Sequence, residues 1–340
     1  MTPSSAPTLL PFRRLTQPQE RVLRAVAALP FASVHEIRRW VFPACSASSA
    51  RAILRALAGE KDCNPEGYVY RVGLPTRGNW LRLYVLGSRG AKQLRRMGVE
   101  VNWYARGYKV CNYSFSYLRH QHAVAQLLTA LICFCRAHPF YQVAETLNSY
   151  DFLREPPRTK LMTDGKETEV AVIPDAWVYV ERVADQKGTA GQGTCLWFEI
   201  DNGTEYCKRF QQLLRARLAL LKNGYAEYFG TPAVLLCYLV IGTTTPEQRF
   251  TRLHTLRRWT QDVLAQEKLA DWASVFRFAA VEEDISTTPL FAAPVWHLAD
   301  DSDTPVRLFD PIPLTQHPAS PAGKENAHGE VETTPVSCRG

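Results

Sequence analysis

Residues 194–201 read TCLWFEID, an almost unbroken apolar run that ends in two carboxylates. A run of this length and composition is typical of a strand buried on both faces of a sheet. Glu199 and Asp201 are two positions apart, so their side chains point to the same side of such a strand. Two acidic side chains at the end of a buried strand are unfavourable unless a positive charge lies beside them. The run therefore predicts a central strand with a charged site at its end.

A third carboxylate precedes the upstream strand. Asp175 follows Pro174 and begins the apolar run AWVYV. A divalent cation is a common counter-charge for grouped carboxylates, and it can activate water for phosphodiester hydrolysis. We therefore predict a Mg²⁺ or Mn²⁺ site formed by Asp175, Glu199 and Asp201. Lys208, on the next helix, would reach a phosphate or the attacking water; alternatively it would form only a structural ion pair with Glu199.

The surrounding sequence alternates between helical and strand patterns. We expect helices over residues 115–136, 205–224 and 246–268, and strands over residues 140–146, 166–183 (two strands), 194–201, 233–241 and 275–281. This alternation predicts an α/β sandwich, in the broad sense an α+β fold, over residues 113–299.

The first third of the chain has a different pattern. Amphipathic helices are expected over residues 17–29, 33–42 and 46–57, and residues 68–73 and 80–86 alternate like the strands of a hairpin. Three short helices followed by a hairpin predict a winged helix-turn-helix. The predicted organisation is a flexible tail over 1–15, the winged helix over 16–98, a connector over 99–112, the α/β domain over 113–299 and an acidic, largely disordered tail over 300–340.

The formal net charge of +7 is unevenly distributed. Residues 1–112 hold 18 Lys and Arg against 6 Asp and Glu, residues 113–299 hold 19 against 20, and residues 300–340 hold 3 against 7. A strongly basic unit joined to a near-neutral one is typical of a nucleic-acid-binding module attached to a second domain. A solvated basic face without a partner and a winged helix that binds protein are the alternatives.

The candidate DNA-binding residues are the polar and basic positions of the predicted winged helix. The third helix would present short polar and arginine side chains to base edges, while flanking arginines hold phosphates and the wing reaches the minor groove or the backbone. These residues are Ser48, Ser49, Arg51 and Arg55 on the third helix, Arg38 and Arg39 on the second, and Arg71, Arg77 and Arg82 on or beside the wing.

The order of the motifs resembles a known family. The segments that carry the resemblance are LTQPQERVLRAVAALPFASVHEIRRWVF, SARAILRALAG, LYVLGSRGAKQL, LRHQHAVAQLLTAL, IPDAWVYV and FEIDNGTE. From about Leu15 to Leu298 the chain resembles the replication-relaxation family of plasmids and mobile elements. That resemblance implies a winged helix followed by a PD-(D/E)xK restriction-endonuclease-like domain. The family is similar to some mobilisation relaxases of the endonuclease-like kind.

The resemblance also implies roles for individual residues. His120 matches the family's helix histidine; Asp175, Glu199 and Asp201 match its acidic core, and Gly203–Thr204 match the turn before the next helix. His122 is a weaker candidate because it lies about 200° around the helix from His120. Asp201 occupies the position where the fold usually has lysine, so another cation would have to substitute. The candidates for this cation are Lys208, Lys222, Arg215 and Arg217. If the protein uses a tyrosine as a covalent nucleophile, the one nearest to the acids in sequence is Tyr206.

We therefore expect a DNA-binding protein of a plasmid or mobile element that recognises a duplex site and nicks or processes it with a divalent metal. One alternative is a non-catalytic replication initiator or transcriptional regulator with a degenerate nuclease fold; another is a transcription factor whose second domain only dimerises. The expected partners are double-stranded DNA, other replication or mobilisation proteins and a second copy of the chain.

The location expected from the sequence is the cytoplasm. No apolar run approaches the roughly 18 residues that a membrane-spanning helix needs. The nine scattered cysteines contain no C-x-x-C spacing and are typical of reduced, buried thiols.

Overall fold

The computed structural model describes residues 14–59, 67–76, 78–110, 112–163, 165–183, 193–242, 245–281, 285, 289–300 and 302–309. Arg77 lies outside these residues, as do most of the two predicted tails. The elements described below belong to one compact unit that ends at Leu308. The domain boundaries predicted within that unit, at residues 98 and 112, stay predictions.

The N-terminal third contains helices and a three-stranded sheet. Helices α1 to α4 span Gln17–Ala28, Val34–Val41, Ala47–Ala58 and Ser88–Arg96, and strands β1 to β3 span Ala32–Ser33, Val69–Thr76 and Asn79–Leu86. Strand β3 lies between β1 and β2 and is antiparallel to both. Helix α2 begins in a capping box, in which Ser33 Oγ accepts from the backbone N–H of His35 and Glu36 accepts from that of Ser33. Three helices followed by a hairpin is the predicted order.

Helices and strands alternate in the rest of the described chain. The helices are α5 (Gly107–Val110), α6 (Phe115–Ala137), α7 (Cys207–Asn223), α8 (Tyr225–Phe229), α9 (Pro246–Gln266) and a 3₁₀-helix over Ala270–Val275. The strands are β4 (Tyr141–Asn148), β5 (Arg158–Thr163), β6 (Lys166–Ala171), β7 (Ala176–Arg182), β8 (Gly193–Asp201), β9 (Val234–Val240) and β10 (Phe276–Ala280). Strand β5, which pairs with β6 in a two-stranded sheet, is not predicted from the sequence, because RTKLMT does not alternate between polar and apolar residues. None of the described helices is long and apolar enough to span a bilayer.

Strand β8 is the central strand of a five-stranded mixed sheet, as its apolar sequence predicts. The strand order is β10-β9-β8-β7-β4, with β8, β9 and β10 parallel to one another and β7 antiparallel to both β8 and β4. Trp197 of β8 and Tyr238 of β9 share a core cluster with Phe210 of α7 and Leu253 of α9. Helices together with mixed and antiparallel sheets place the chain in the α+β class, as predicted.

Residues 99–112, predicted as a connector, pack against the β2–β3 hairpin and against α6. The N–H of Ala105 donates to the carbonyl of Leu86 at the end of β3 (2.9 Å). Ala105 and Val110 are buried in one cluster with Val72 of β2 and Leu118 of α6. The hairpin and α6 are therefore joined by a shared core.

The two faces of the β2–β3 hairpin differ in chemistry. Val72 and Leu83 are paired across the strands and lie in the shared core. Arg71 and Tyr84, the next pair along the hairpin, point to the opposite face, because successive side chains of a strand alternate between its two faces. Arg82, two residues before Tyr84, lies on the same face as Tyr84. The hairpin thus presents a basic face away from the shared core.

Candidate functional site

The predicted acidic residues meet in a small pocket at the carboxyl end of β8. Asp175 directly precedes β7, and the antiparallel register pairs Ala176 with Phe198, so the start of β7 lies beside the end of β8. A pocket of about 180 Å³ is lined by His120, Asp175, Glu199, Asp201 and Arg217, among others. We call this the acid pocket. The structure thus brings together His120 and all three acids that the sequence singled out.

Asp175 is held by hydrogen bonds from two elements. One carboxylate oxygen accepts from the backbone N–H of Ile200 (2.7 Å), and the other lies 3.0 Å from Nε2 of His120 on α6. Burial alone would lower the pKa of His120, but the negative charge of Asp175 and its hydrogen bond to the imidazole outweigh this effect and raise the pKa. His120 is therefore protonated more readily than a free histidine, and the pair gains ionic character.

Glu199 forms a buried ion pair with Arg217 of α7. Its Oε2 lies 2.7 Å from Nη2 of Arg217, its Oε1 accepts from the indole N–H of Trp197 at 2.7 Å, and Arg217 also donates to the hydroxyl of Tyr238. Burial raises the pKa of Glu199, Arg217 opposes the rise and the charge of Asp175 adds to it. Burial alone would lower the pKa of Arg217, but the charge of Glu199, the contact with Tyr238 and the charge of Asp175 together raise it, so the guanidinium stays charged.

Asp201 is held by a second arginine, Arg252 of α9. The contact is bidentate, with Nε of Arg252 2.8 Å from Oδ2 and Nη2 2.9 Å from Oδ1. Arg252 also donates to the carbonyl of Glu205, and the N–H of Gly203 donates to Asp201. Gly203 has φ +75°, a left-handed conformation that favours glycine in the turn before α7. Arg252 is not predicted from the sequence, in which its only signal is the need for a positive charge near the acids.

Among the four cations proposed to replace the missing lysine, Arg217 alone lines the acid pocket. Lys208 and Lys222 are exposed on α7, and Arg215 pairs with Glu267. The alternative of a structural ion pair between Lys208 and Glu199 is wrong, because the partner of Glu199 is Arg217. Tyr206 precedes α7 with 82% of its surface exposed and does not line the acid pocket.

The acid pocket in this arrangement does not fit the predicted Mg²⁺ or Mn²⁺. Each of the three carboxylates is already engaged by protein donors: Asp175 by His120, Glu199 by Arg217 and Asp201 by Arg252. Within the described ranges, no group of three or more His, Cys, Asp or Glu side chains is placed to hold a metal ion. Positive charge is present beside the acids, as the sequence predicts, but it comes from arginine side chains.

A second candidate site lies on the side of the β2–β3 hairpin that faces away from the shared core. Burial raises the pKa of the Tyr84 phenol, while the positive charges of four arginines, Arg71, Arg82, Arg55 and Arg51, lower it. Arg71 is paired with Tyr84 across the hairpin and Arg82 lies two residues before it on β3, while Arg51 and Arg55 are exposed on α3. We call this group the basic face. It unites four of the predicted DNA-binding arginines.

The other predicted DNA-binding residues have different surroundings. Ser48 and Ser49 are exposed, and their hydroxyls lie 2.7 Å and 3.1 Å from Oγ of Ser46 at the start of α3. Arg38 and Arg39 line a separate cavity between α2, the hairpin and α6. The structure therefore does not place these two arginines on the basic face.

His122, the weaker histidine candidate, belongs to this cavity and not to the acid pocket. Its Nε2 lies 3.2 Å from Oε2 of Glu36. Its position is consistent with the angle of about 200° that separates it from His120 on one helix.

Comparison with known proteins identifies a family. The family model described as replication-relaxation matches residues 23–233, more than half of the chain. The matched region includes the basic face, His120 and the three acids, and it ends before Arg252. No curated protein and no solved structure matches the chain. The match confirms the resemblance found in the sequence motifs, and the chain belongs to the replication-relaxation family.

Proposed function

We propose that this protein binds duplex DNA through α3 and the β2–β3 hairpin, acting in the replication or relaxation of a plasmid or mobile element. The single observation that carries this proposal is the basic face, in which Arg71 and Arg82 share one side of the hairpin and Arg51 and Arg55 are exposed on α3. The family supports the replication or relaxation context. In the winged-helix interpretation, α3 is the recognition helix and the hairpin is the wing.

The composition of these elements supports a polyanionic partner. Neither α3 nor the two hairpin strands contain an acidic residue. Like charges that face one another repel, and the DNA backbone would relieve this repulsion while its condensed counterions are released. Arginines on a helix and on an adjacent hairpin can contact phosphates on either side of a groove, which positions the protein on the duplex.

Fluorescence anisotropy with a labelled duplex tests this proposal. Single substitutions Arg51→Ala, Arg55→Ala and Arg82→Ala should each weaken binding about threefold to tenfold at moderate salt. The slope of log K against log salt should become shallower by about 0.9 for each phosphate contact removed. Lys160→Ala is the matched control, since Lys160 is an exposed cation of the β5–β6 hairpin. Equal affinities for all four variants and the wild type would reject the basic face as the DNA-binding surface.

The pairing of the acids with arginines favours the non-catalytic alternative for the second part of the chain. Metal-dependent nicking needs carboxylate oxygens that are open to a cation, whereas Glu199 and Asp201 are bound to Arg217 and Arg252. We therefore propose a replication initiator or regulator with an endonuclease-like fold whose acid pocket is structural. The predicted partners other than DNA stay predictions.

A supercoiled-plasmid assay separates the two functions. The purified full-length chain with Mg²⁺ or Mn²⁺ should leave the plasmid supercoiled, and the variants Asp175→Ala and Lys208→Ala should behave in the same way. Appearance of open circles with the wild type, and their loss in Asp175→Ala with duplex binding intact, would restore the metal-dependent nuclease. The anisotropy measurement on the same samples shows that each protein is folded and binds DNA.

A further inference from the structure

A cavity of about 600 Å³ lies between α2, the β2–β3 hairpin, α6 and the carboxyl end of β9. We call it the arginine cavity. Arg38 and Arg39 enter it from α2 and Arg119 from α6, while Leu74 and Leu81 of the hairpin line it with apolar surface. Its volume is within the range of about 300–1,000 Å³ that is typical of small-molecule sites. It is thus large enough for a nucleotide, and a lone phosphate would leave most of it unfilled.

The charges that line the cavity favour an anion. Three guanidinium groups lie in the lining, together with the single carboxylate of Glu36. That carboxylate is committed to the protein, since it accepts from the backbone N–H of Ser33 (2.7 Å) and lies 3.2 Å from Nε2 of His122. Burial would raise the pKa of Glu36, but these contacts outweigh burial and hold its pKa at about 2. Glu36 is therefore ionised and bound within the protein, and the cavity lining holds three arginines against this one carboxylate.

Two of the arginines have donors that no described residue satisfies. Nε of Arg38 is buried and has no hydrogen-bond partner within the described residues, and its Nη1 donates weakly to the carbonyl of Cys45 at 3.3 Å. The Arg39 guanidinium makes no hydrogen bond or ion pair with a described residue, although the residue is only half-exposed. Buried unsatisfied donors are rare in folded proteins and point to an absent acceptor. Planar guanidinium groups suit phosphate oxygens, which they bind in pairs of hydrogen bonds.

We propose that the arginine cavity binds a nucleotide, with Arg38 and Arg39 on its phosphate and the base or sugar against Leu74 and Leu81. The nucleotide is either free or the 5′-phosphorylated end of an unpaired DNA strand. This site goes beyond the proposed duplex binding and does not depend on it, because the hairpin separates the cavity from the basic face. The cavity and the acid pocket are both bordered by α6. Ile241 and Gly242, which follow β9, line the cavity, whereas the end of β8 lines the acid pocket.

Calorimetric titration of the full-length protein with dAMP tests the site. The wild type should bind dAMP, and Arg39→Ala should weaken binding about tenfold or more. Removal of Arg39 breaks no bond to a described residue, so the variant should fold. Arg39→Lys keeps the charge but loses the paired donors, and it should bind with intermediate affinity. Arg51→Ala on the basic face is the matched control and should bind dAMP as the wild type does.

Competition experiments identify the source of the nucleotide. If a short 5′-phosphorylated oligodeoxythymidine displaces dAMP and also loses affinity in Arg39→Ala, the ligand is a strand end; if it does not compete, the ligand is a free nucleotide. Displacement by inorganic phosphate at the same concentration as dAMP would overturn the assignment, because the cavity would then hold an anion only. The assignment would also be overturned if the wild type did not bind dAMP, or if the Arg39→Ala variant bound dAMP as tightly as the wild type. Duplex binding measured on the same variants distinguishes this site from the proposed duplex-binding surface. Arg51→Ala should lose affinity for the duplex and keep its affinity for dAMP.

Discussion

The acid pocket and the basic face differ in where their counter-charges come from. In the acid pocket, Glu199 and Asp201 are bound by Arg217 and Arg252 at 2.7–2.9 Å, and the four side chains are largely buried. On the basic face, four arginines lie on α3 and the hairpin, and these elements contain no acidic residue. A buried charge must be neutralised when the chain folds, whereas an exposed one is solvated by water. The acid pocket therefore has its counter-charges within the protein, whereas α3 and the hairpin strands contain no carboxylate for the basic face.

The strongest test of this comparison is Arg217→Ala. The substitution leaves Glu199 buried without its partner, which should lower the free energy of unfolding by about 3–5 kcal/mol. Urea denaturation of the full-length chain measures this loss. The control Arg215→Ala removes a half-exposed pair with Glu267, and it should change stability by about 1 kcal/mol or less. A change for Arg217→Ala as small as that of its control would contradict a buried, essential pair.

Substitution of Arg252 should have an intermediate effect. Arg252→Ala removes a bidentate contact to Asp201, and Arg252 is more exposed than Arg217, so we expect a loss of about 1–3 kcal/mol in urea denaturation. Arg252→Lys keeps the charge and loses the second hydrogen bond, and should recover only part of the loss. Full recovery with lysine would mean that charge alone, without the paired geometry, holds Asp201.

The pair of His120 with Asp175 should make a smaller contribution that depends on pH. The pKa of His120 is raised above its ordinary value of 6.5, so the folded state binds the proton more tightly than the unfolded state does. The stabilisation is fully present below about pH 6.5 and is lost as the pH rises through the folded-state pKa. Urea denaturation across this range should show the stability difference between wild type and His120→Gln shrinking towards high pH. A difference that grows with pH would break this assignment.

The smallest stability effect is expected on the basic face. Arg51→Ala removes one of several like charges from the first half of α3, so the free energy of unfolding should stay unchanged or rise by up to about 0.5 kcal/mol. Thermal unfolding at low salt measures this effect, and added duplex DNA should stabilise the wild type more than the variant. A marked loss of stability would mean that Arg51 has a structural role like that of Arg217.

The elements and the acids could be predicted because their signals are local. The apolar run before Glu199 predicts a central strand, and the two-residue spacing places Glu199 and Asp201 on one side of it. Asp175 meets them because the start of an antiparallel neighbour lies beside the end of that strand. The position of His120 was implied only by the family resemblance, since no local pattern distinguishes it from other helix histidines.

The helical periodicity of α7 contains a sequence signal for Arg217. It lies three residues after Leu214 and seven after Phe210, so it shares the inward apolar face of α7. The rival cations Lys208, Arg215 and Lys222 are spaced seven residues apart and share a more exposed face. Helical periodicity therefore singles out Arg217 among the four.

The sequence of this protein was sufficient for its α+β class, the strand that ends in acids and the separation of its charges, because each of these depends on composition or on short-range periodicity. Its family was recognised from the resemblance of its motifs and their order. Folding was needed to pair Asp201 with Arg252, which is 51 residues away, and to turn Arg38 and Arg39 from the basic face towards a cavity. Such contacts depend on how helices rotate and pack on a sheet, and residues distant in the chain carry no local pattern for them. The sequence therefore shows only that a cation must lie beside the acids, whereas the packing of α7 and α9 determines that the cations are Arg217 and Arg252.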